Sequence, residues 1–183
     1  SAMITEGTTE ALTSDYAYIM NDDGTISVSA YTGSDTDLTV PGLIDGYVVT
    51  GIADHAFEAN ADIKSITLPN GLITIGESAF SDCSSLTTVV IPDTVGTIRR
   101  GAFISCTALT TLDIPASVTE IMEEAFTGCA ALKDLTVESS TVEFTNWWVD
   151  TDEIPSDLTI TCPKDSKIAA WAEKNNVATE PLS

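Results

Sequence analysis

The chain has 183 residues, 43% of them hydrophobic, which is enough for one domain with a substantial core, and no apolar run approaches the ~20 residues of a membrane span. Its 28 acidic residues against 7 basic ones give a net charge of -21, with the acids spread along the whole length. Nucleic acid and anionic membrane surfaces are therefore poor partners, because both are held by clustered Lys and Arg.

The opening Ser1-Ala2-Met3 reads as an expression remnant and residues 1–15 as a flexible lead-in. No signal peptide is visible, and a native targeting segment is expected to have been removed. Tyr16, Tyr18 and Met20 alternate before Asn21-Asp22-Asp23-Gly24, and Ile26, Val28 and Ala30 alternate after it. That pattern predicts a β-hairpin with Gly24 in its turn. Leu38 to Pro41, "LTVP", reads as a first short strand, set at a wide interval from the next one of its kind.

From residue 48 to 138 the chain repeats itself. Ala-Phe pairs stand at Ala56-Phe57, Ala79-Phe80, Ala102-Phe103 and Ala125-Phe126, each 23 residues after the last, and Cys83, Cys106 and Cys129 keep the same interval. So do Ile63, Leu86, Leu109 and Leu132, then Ile66, Val89, Leu112 and Leu135, then Leu68, Ile91, Ile114 and Val137, with Pro69, Pro92 and Pro115 closing three of the units. Within "LTTVVIP", Val89 and Ile91 point one way and Thr88 and Val90 the other, the period-two signature of a short strand. Upstream, Ala79, Phe80, Cys83 and Leu86 are spaced as the buried side of a helical turn. Ile75, Ile98 and Ile121 mark a second extended piece. One such unit cannot bury its own apolar edge, whereas stacked units share a continuous core. The expected fold is an α/β solenoid of 23-residue coils, each a short strand plus a short helix or 3₁₀ turn.

Counting on by 23 from Leu135 and Val137 reaches Leu158 and Ile160, which makes "DLTI" a fifth strand in a degenerate last coil. By the same count Trp148-Val149 replaces Ala-Phe there, and Asp152 takes the Cys position, as Asn60 does in the first coil. Ser166 is placed as the N-cap of a closing helix with Ile168, Ala169, Trp171 and Ala172 on its apolar stripe, stopping at Asn175-Asn176. Open solenoid ends expose core and unpaired strand groups, so terminal units should be atypical. The chain thus divides into an N-terminal cap (16–47), regular repeats (48–138), and a degenerate last coil with a C-terminal cap (139–183), all in one domain (16–183).

The run "IGESAFSDCSSLTTVVIPDTV" resembles the BspA-type leucine-rich repeat, whose units run approximately as Ile, Ala-Phe, Cys, then Leu-x-x-Val-x-Ile-Pro. The segments before and after the repeats resemble that family's usual opening and closing segments. The resemblance implies a bacterial secreted or cell-surface protein of the adhesin type, extracellular in location, that engages host or neighbouring-cell proteins.

The residues themselves offer few sites for chemistry. The three laddered cysteines sit one per coil without His or CxxC, which fits small buried packing residues better than zinc or redox chemistry. Neighbouring coils would hold them ~5 Å apart, but parallel Cβ vectors make a disulfide awkward. His55, the single histidine, has no distinguished nucleophile or orienting partner, so it is read as a surface or capping residue. No nucleotide, metalloprotease or nucleophile-elbow motif is present, and neither an enzyme nor a cofactor is expected. Asp150, Asp152, Glu153 and Asp157 form a weak candidate for calcium without the fixed spacing of an EF-hand loop. Trp147 and Trp148 are an alternative binding platform for sugar or protein, against the reading that they fill space left by Phe.

What remains is the outward strand face. Counted by 23, its columns are Ser65, Thr88, Thr111, Asp134, Asp157 and Thr67, Val90, Asp113, Thr136, Thr159. This flat ladder of hydroxyls and carboxylates is the expected surface for a protein ligand, although Thr also favours exposed strands for its own sake. Non-enzymatic adhesion through this face is the leading expectation. Its alternatives are a structural spacer within a larger surface protein, and a carbohydrate- or calcium-dependent module built on Trp147 to Asp157. No membrane insertion is expected, and the oligomeric state stays open.

Overall fold

The structure, a computed structural model, describes residues 10–13 and 15–183. Strands β1 (Glu10–Thr13), β2 (Tyr16–Met20) and β3 (Ile26–Tyr31) form an antiparallel ribbon. Its second turn is the predicted one: Gly24 has φ +83°, its N–H donates to Asn21 O at 3.1 Å, and Asn21 N–H donates to Thr25 O at 2.8 Å. β1 falls within the segment read as a flexible lead-in, so that boundary at residue 15 is corrected for residues 10–13; residues 1–9 and 14 lie outside the described residues.

Next come β4 (Asp37–Thr39), β5 (Leu43–Ile44) and β6 (Tyr47–Ile52). Each following coil gives one strand to a broad face and one to a narrow face: β7 (Ser65–Thr67) and β8 (Thr74–Ile75), β9 (Thr88–Val90) and β10 (Thr97–Ile98), β11 (Thr111–Ile114) and β12 (Glu120–Ile121), β13 (Asp134–Val137) and β14 (Glu143–Phe144). A 3₁₀ turn at Thr151–Glu153 leads to β15 (Thr159–Cys162), helix α1 (Lys167–Lys174) and β16 (Ala178–Pro181). The narrow face runs β1-β2-β3-β6-β8-β10-β12-β14, with β5 on the flank of β6, and the broad face runs β4-β7-β9 and then β11-β13-β15-β16. Coil-to-coil pairing is parallel, with Thr97 opposite Thr74 and Leu112 opposite Leu135 as the 23-residue count requires.

The third side of each coil holds isolated i→i+3 turns in place of a continuous helix, and its amides point along the solenoid axis. Phe57 N–H donates to Ala79 O, Phe80 to Ala102 O, Phe103 to Ala125 O and Phe126 to Trp147 O, at 2.8, 2.8, 3.0 and 2.9 Å. The chain turns on this side by placing two residues per coil in the left-handed region: His55, Ser78, Gly101 and Glu124 have φ of 61°, 51°, 59° and 61°, and Ala59, Asp82, Ser105 and Gly128, four residues on, have φ of 57°, 57°, 58° and 76°. Only Gly101 and Gly128 among them are the residue type that adopts this conformation freely.

The inward columns fill the interior. Phe57, Phe80, Phe103 and Phe126 stack ring on ring at 5.3, 5.4 and 6.2 Å, and full burial of each such side chain contributes roughly 1.5–3 kcal/mol. Beside them the thiols of Cys83, Cys106 and Cys129 donate to the carbonyl oxygens of Phe57, Phe80 and Phe103 at 3.1, 3.0 and 3.1 Å. The cysteine repeat therefore supplies a small buried donor that ties each coil to the one before. All four cysteines are free.

At the C-terminal end the Ser166 hydroxyl accepts from Ala169 N–H, the predicted N-cap. The helix buries Ile168 and Ala172 and stacks Trp171 on Trp148 at 5.8 Å. β16 pairs with β15 in parallel and is exposed throughout.

Candidate functional site

The broad face presents two outward columns on strands held flat by identical stacking. The first is Asp37, Ser65, Thr88, Thr111, Asp134 and Thr159, and the second is Thr39, Thr67, Val90, Asp113, Thr136 and Thr161. The residues between them, Leu38, Ile66, Val89, Leu112, Leu135 and Ile160, are buried. That alternation puts every polar side chain of these strands outside and leaves the face without a covering element among the described residues.

The last step of the ladder corrects the sequence count. Leu135 lies opposite Ile160 and Asp134 opposite Thr159, a step of 25 residues in place of 23, so Thr159 stands in the first column and Thr161 in the second. Asp157 is in the turn before β15 and belongs to neither. The other nine positions, Ser65, Thr67, Thr88, Val90, Thr111, Asp113, Asp134, Thr136 and Thr159, are all on the face. Asp37 and Thr39 extend it at the N-terminal end, where Ser65 Oγ donates to Asp37 Oδ1 at 2.7 Å. Asp37, Asp113 and Asp134 give the columns negative charge with no base among them, and Lys64 and Lys133 stand only at the strand starts. Val90, 56% exposed, is the one large apolar group in the array.

The remaining candidates separate clearly. Trp147 and Trp148 are 0% and 4% exposed, so they are not an open platform. Trp147 O accepts the hydrogen bond that Ala125 O accepts one coil earlier, which places Trp147-Trp148 in the Ala-Phe position and corrects the reading of Trp148-Val149. Trp148 lies 5.4 Å from Phe126, tilted by 48°, at the end of the ring column. Asp150, Asp152, Glu153 and Asp157 are exposed, and among the described residues no three His, Cys, Asp or Glu side chains come together in a way that would hold a metal ion.

His55 is a surface residue whose Nδ1 lies 2.9 Å from Glu58 Oε2. Burial pushes the Cys83 thiol up to about 12 and the Cys106 and Cys129 thiols up as well. A thiol held protonated in this way is a poor nucleophile and metal ligand. Sequence reasoning did not identify a groove on the narrow face lined by Asn21, Ser27, Thr50, Asp54 and Arg99, where Asn21, Thr25, Ser27 and Thr50 hydrogen-bond one another and the ion pair Arg99–Asp54 lies at 3.4 Å. Its polar groups come from segments far apart in the chain, and no local pattern connects them.

Among the described residues, no helix is long and apolar enough to cross a membrane. A family model described as "BspA type Leucine rich repeat region (6 copies)" matches residues 48–158. No curated protein matches the chain. Among solved structures, a leucine rich repeat protein of T. pallidum is 25% identical with a TM-score of 0.75, over 85% of this chain and 72% of that one. A leucine-rich repeat protein from Bacteroides capillosus is 31% identical with a TM-score of 0.63, over 71% of this chain and 97% of that one. A leucine rich cell surface protein from Faecalibacterium prausnitzii is 30% identical with a TM-score of 0.68, over 88% of this chain but 44% of that one.

Proposed function

We propose, from the premise that the chain belongs to the BspA-type leucine-rich-repeat family, that it is a non-enzymatic module of a bacterial surface or secreted protein that adheres to another protein through its broad face. The observation that carries this reading is the uncovered double column of exposed Ser, Thr and Asp running from Asp37 to Thr161. Extended solenoid surfaces of this kind are suited to protein ligands, because one rigid sheet offers many aligned contacts without ordering a loop. The carboxylates on the face, in a chain of net charge -21, favour a partner whose contact surface is rich in Lys and Arg and would speed encounter with it. The F. prausnitzii relative is described as a cell surface protein, which supports the same location for this one.

The test is a binding screen of the purified protein against immobilised extracellular-matrix and epithelial-surface proteins, with Thr88→Arg/Asp113→Arg as the face variant. A saturable protein hit that weakens with added salt and is lost in the variant is the expected result. A hit that the variant retains would contradict binding through this face. A blank across the panel would favour a spacer role.

A further inference from the structure

The turn that joins β7 on the broad face to β8 on the narrow face differs from its counterparts in the next two coils. All three turns close in the same way: Leu72, Val95 and Val118 N–H donate to the carbonyl oxygens of Pro69, Pro92 and Pro115 at 3.2, 3.2 and 3.1 Å. The residues enclosed are Asn70-Gly71 in the first, Asp93-Thr94 in the second and Ala116-Ser117 in the third. Of these, only Gly71 is left-handed, at φ +94°, the conformation that a type II turn requires at its third residue. The fold thus sets an Asn-Gly pair at a corner open to water, with Asn70 exposed.

In such a pair the side-chain amide lies open to attack by the next backbone nitrogen, because glycine has no Cβ to obstruct the approach and its backbone is free to turn. Every other asparagine of the chain precedes a residue with a side chain. Asn21, Asn60 and Asn175 also hold their side chains in hydrogen bonds, and Asn146 and Asn176 precede the bulky Trp147 and Val177. At Asn70 the nucleophile itself is restrained. Gly71 N–H donates to Thr94 Oγ1 at 3.1 Å, and that hydroxyl donates in turn to Leu72 O at 2.8 Å. Thr94, which is Gly71's own counterpart one coil on, thereby spans the Gly71-Leu72 backbone.

We propose that Asn70-Gly71 is a site of spontaneous self-modification and that Thr94 sets its rate. The Gly71 nitrogen loses its proton to hydroxide and bonds to Asn70 Cγ. The Cγ–Nδ2 bond breaks, and the amide nitrogen takes a proton from water and leaves as ammonia, closing a succinimide. Water then opens the ring, at Cγ to leave aspartate or at the main-chain carbonyl to leave isoaspartate, in which Cβ has entered the backbone. Either product puts a new carboxylate one coil from Asp93, which holds the matching position, and isoaspartate lengthens the link between β7 and β8. The bond to Thr94 has to be given up before the nitrogen can attack, so it slows the first step. The site lies outside the columns of the broad face and does not depend on the adhesion reading.

The test is to incubate the folded full chain at mildly alkaline pH and follow its peptides by liquid chromatography and mass spectrometry, which separate asparagine, aspartate and isoaspartate. A urea-unfolded sample gives the unrestrained rate. The expected result is that Asn70 is converted before any other asparagine, and more slowly in the folded chain than in the unfolded one. Thr94→Val, at an exposed position, keeps the branched shape and removes the hydroxyl. It should raise the folded rate about fivefold, the factor for a hydrogen bond of ordinary strength, and leave the unfolded rate unchanged. Thr94→Ala should do the same, whereas Thr94→Ser, which keeps the hydroxyl, should stay near the original rate. Thermal unfolding of each variant checks that the fold is kept. Earlier conversion at another asparagine would overturn the proposal. So would no conversion of Asn70 in the folded chain, or a folded rate that Thr94→Val and Thr94→Ala leave unchanged.

Discussion

The coils between Ala79 and Val137 and the coil that follows them solve one packing problem in two ways. In the regular coils a Phe ring, a Cys thiol and an inward Leu or Ile repeat in register, so each coil is the template for the next and each Cys thiol and Phe N–H finds its partner in a neighbouring coil. In the last coil the step shortens to 22 residues from Phe126 to Trp148 and then lengthens to 25 from Leu135 to Ile160. Two indoles occupy the Ala-Phe position, and their N–H groups are left without partners. Repetition supplies stability with little variety, and the departure from repetition is where partners are lost.

The contrast can be broken most severely in the regular stack. Phe103→Ala should destabilise the protein by about 3–5 kcal/mol, because the rings on both sides hold the cavity open. Urea unfolding would show it, and a loss near that of an exposed residue would mean the ring column is not continuous. Gly76→Ala comes next: a Cβ there would lie 2.6 Å from Ala53 C and Asp54 N, which are backbone atoms that cannot turn aside. A cost of about 1–3 kcal/mol is expected from such overpacking. Trp148→Phe in the last coil should cost less than about 1.5 kcal/mol, since it removes an unpartnered donor along with ring atoms. Lys167→Met, which removes the exposed pair with Glu143, should change stability by less than about 1 kcal/mol.

The thiol ladder adds a prediction in pH. Burial raises Cys83 from 9.0 to about 12, so the fold binds its proton more tightly than the unfolded chain does. The stabilisation is full below pH 9 and is lost as pH rises towards 12. Alkaline unfolding should therefore set in across that window, and Cys83→Ala should flatten it. At neutral pH a thiol reagent such as dithionitrobenzoate should leave Cys83, Cys106 and Cys129 unmodified in the native protein and label them in guanidinium.

Most of the fold is legible in the sequence because stacking forces like residues to recur. The intervals of Ala-Phe, Cys and the inward Leu and Ile columns are direct images of the coil-to-coil register. The failures share a physical cause: a count by 23 assumes no insertion, so it misplaces Asp157, Trp148-Val149 and Thr161 once the last coil changes length. The left-handed position filled by His55, Ser78, Gly101 and Glu124 leaves no trace because four different residues occupy one conformation. β16 carries no sequence signal because Ala178-Thr179-Glu180-Pro181 buries nothing and so needs no alternation; its Glu and Pro suit an edge strand. The broad face was legible as a pattern of exposed Thr and Asp, whereas the place of Trp148 depends on Trp171 of a helix that only the folded chain brings near.

The central claim is that inward columns hold the solenoid together and the adjacent outward columns are free to bind. Urea denaturation of Leu112→Ala beside Thr111→Ala tests it most directly, since the two residues are neighbours in β11 and face opposite ways. The account predicts a loss of about 2–5 kcal/mol for Leu112→Ala and within about 0.5 kcal/mol for Thr111→Ala, with the slope unchanged. Equal effects from both would contradict the register and, with it, the outward face on which the proposed function rests.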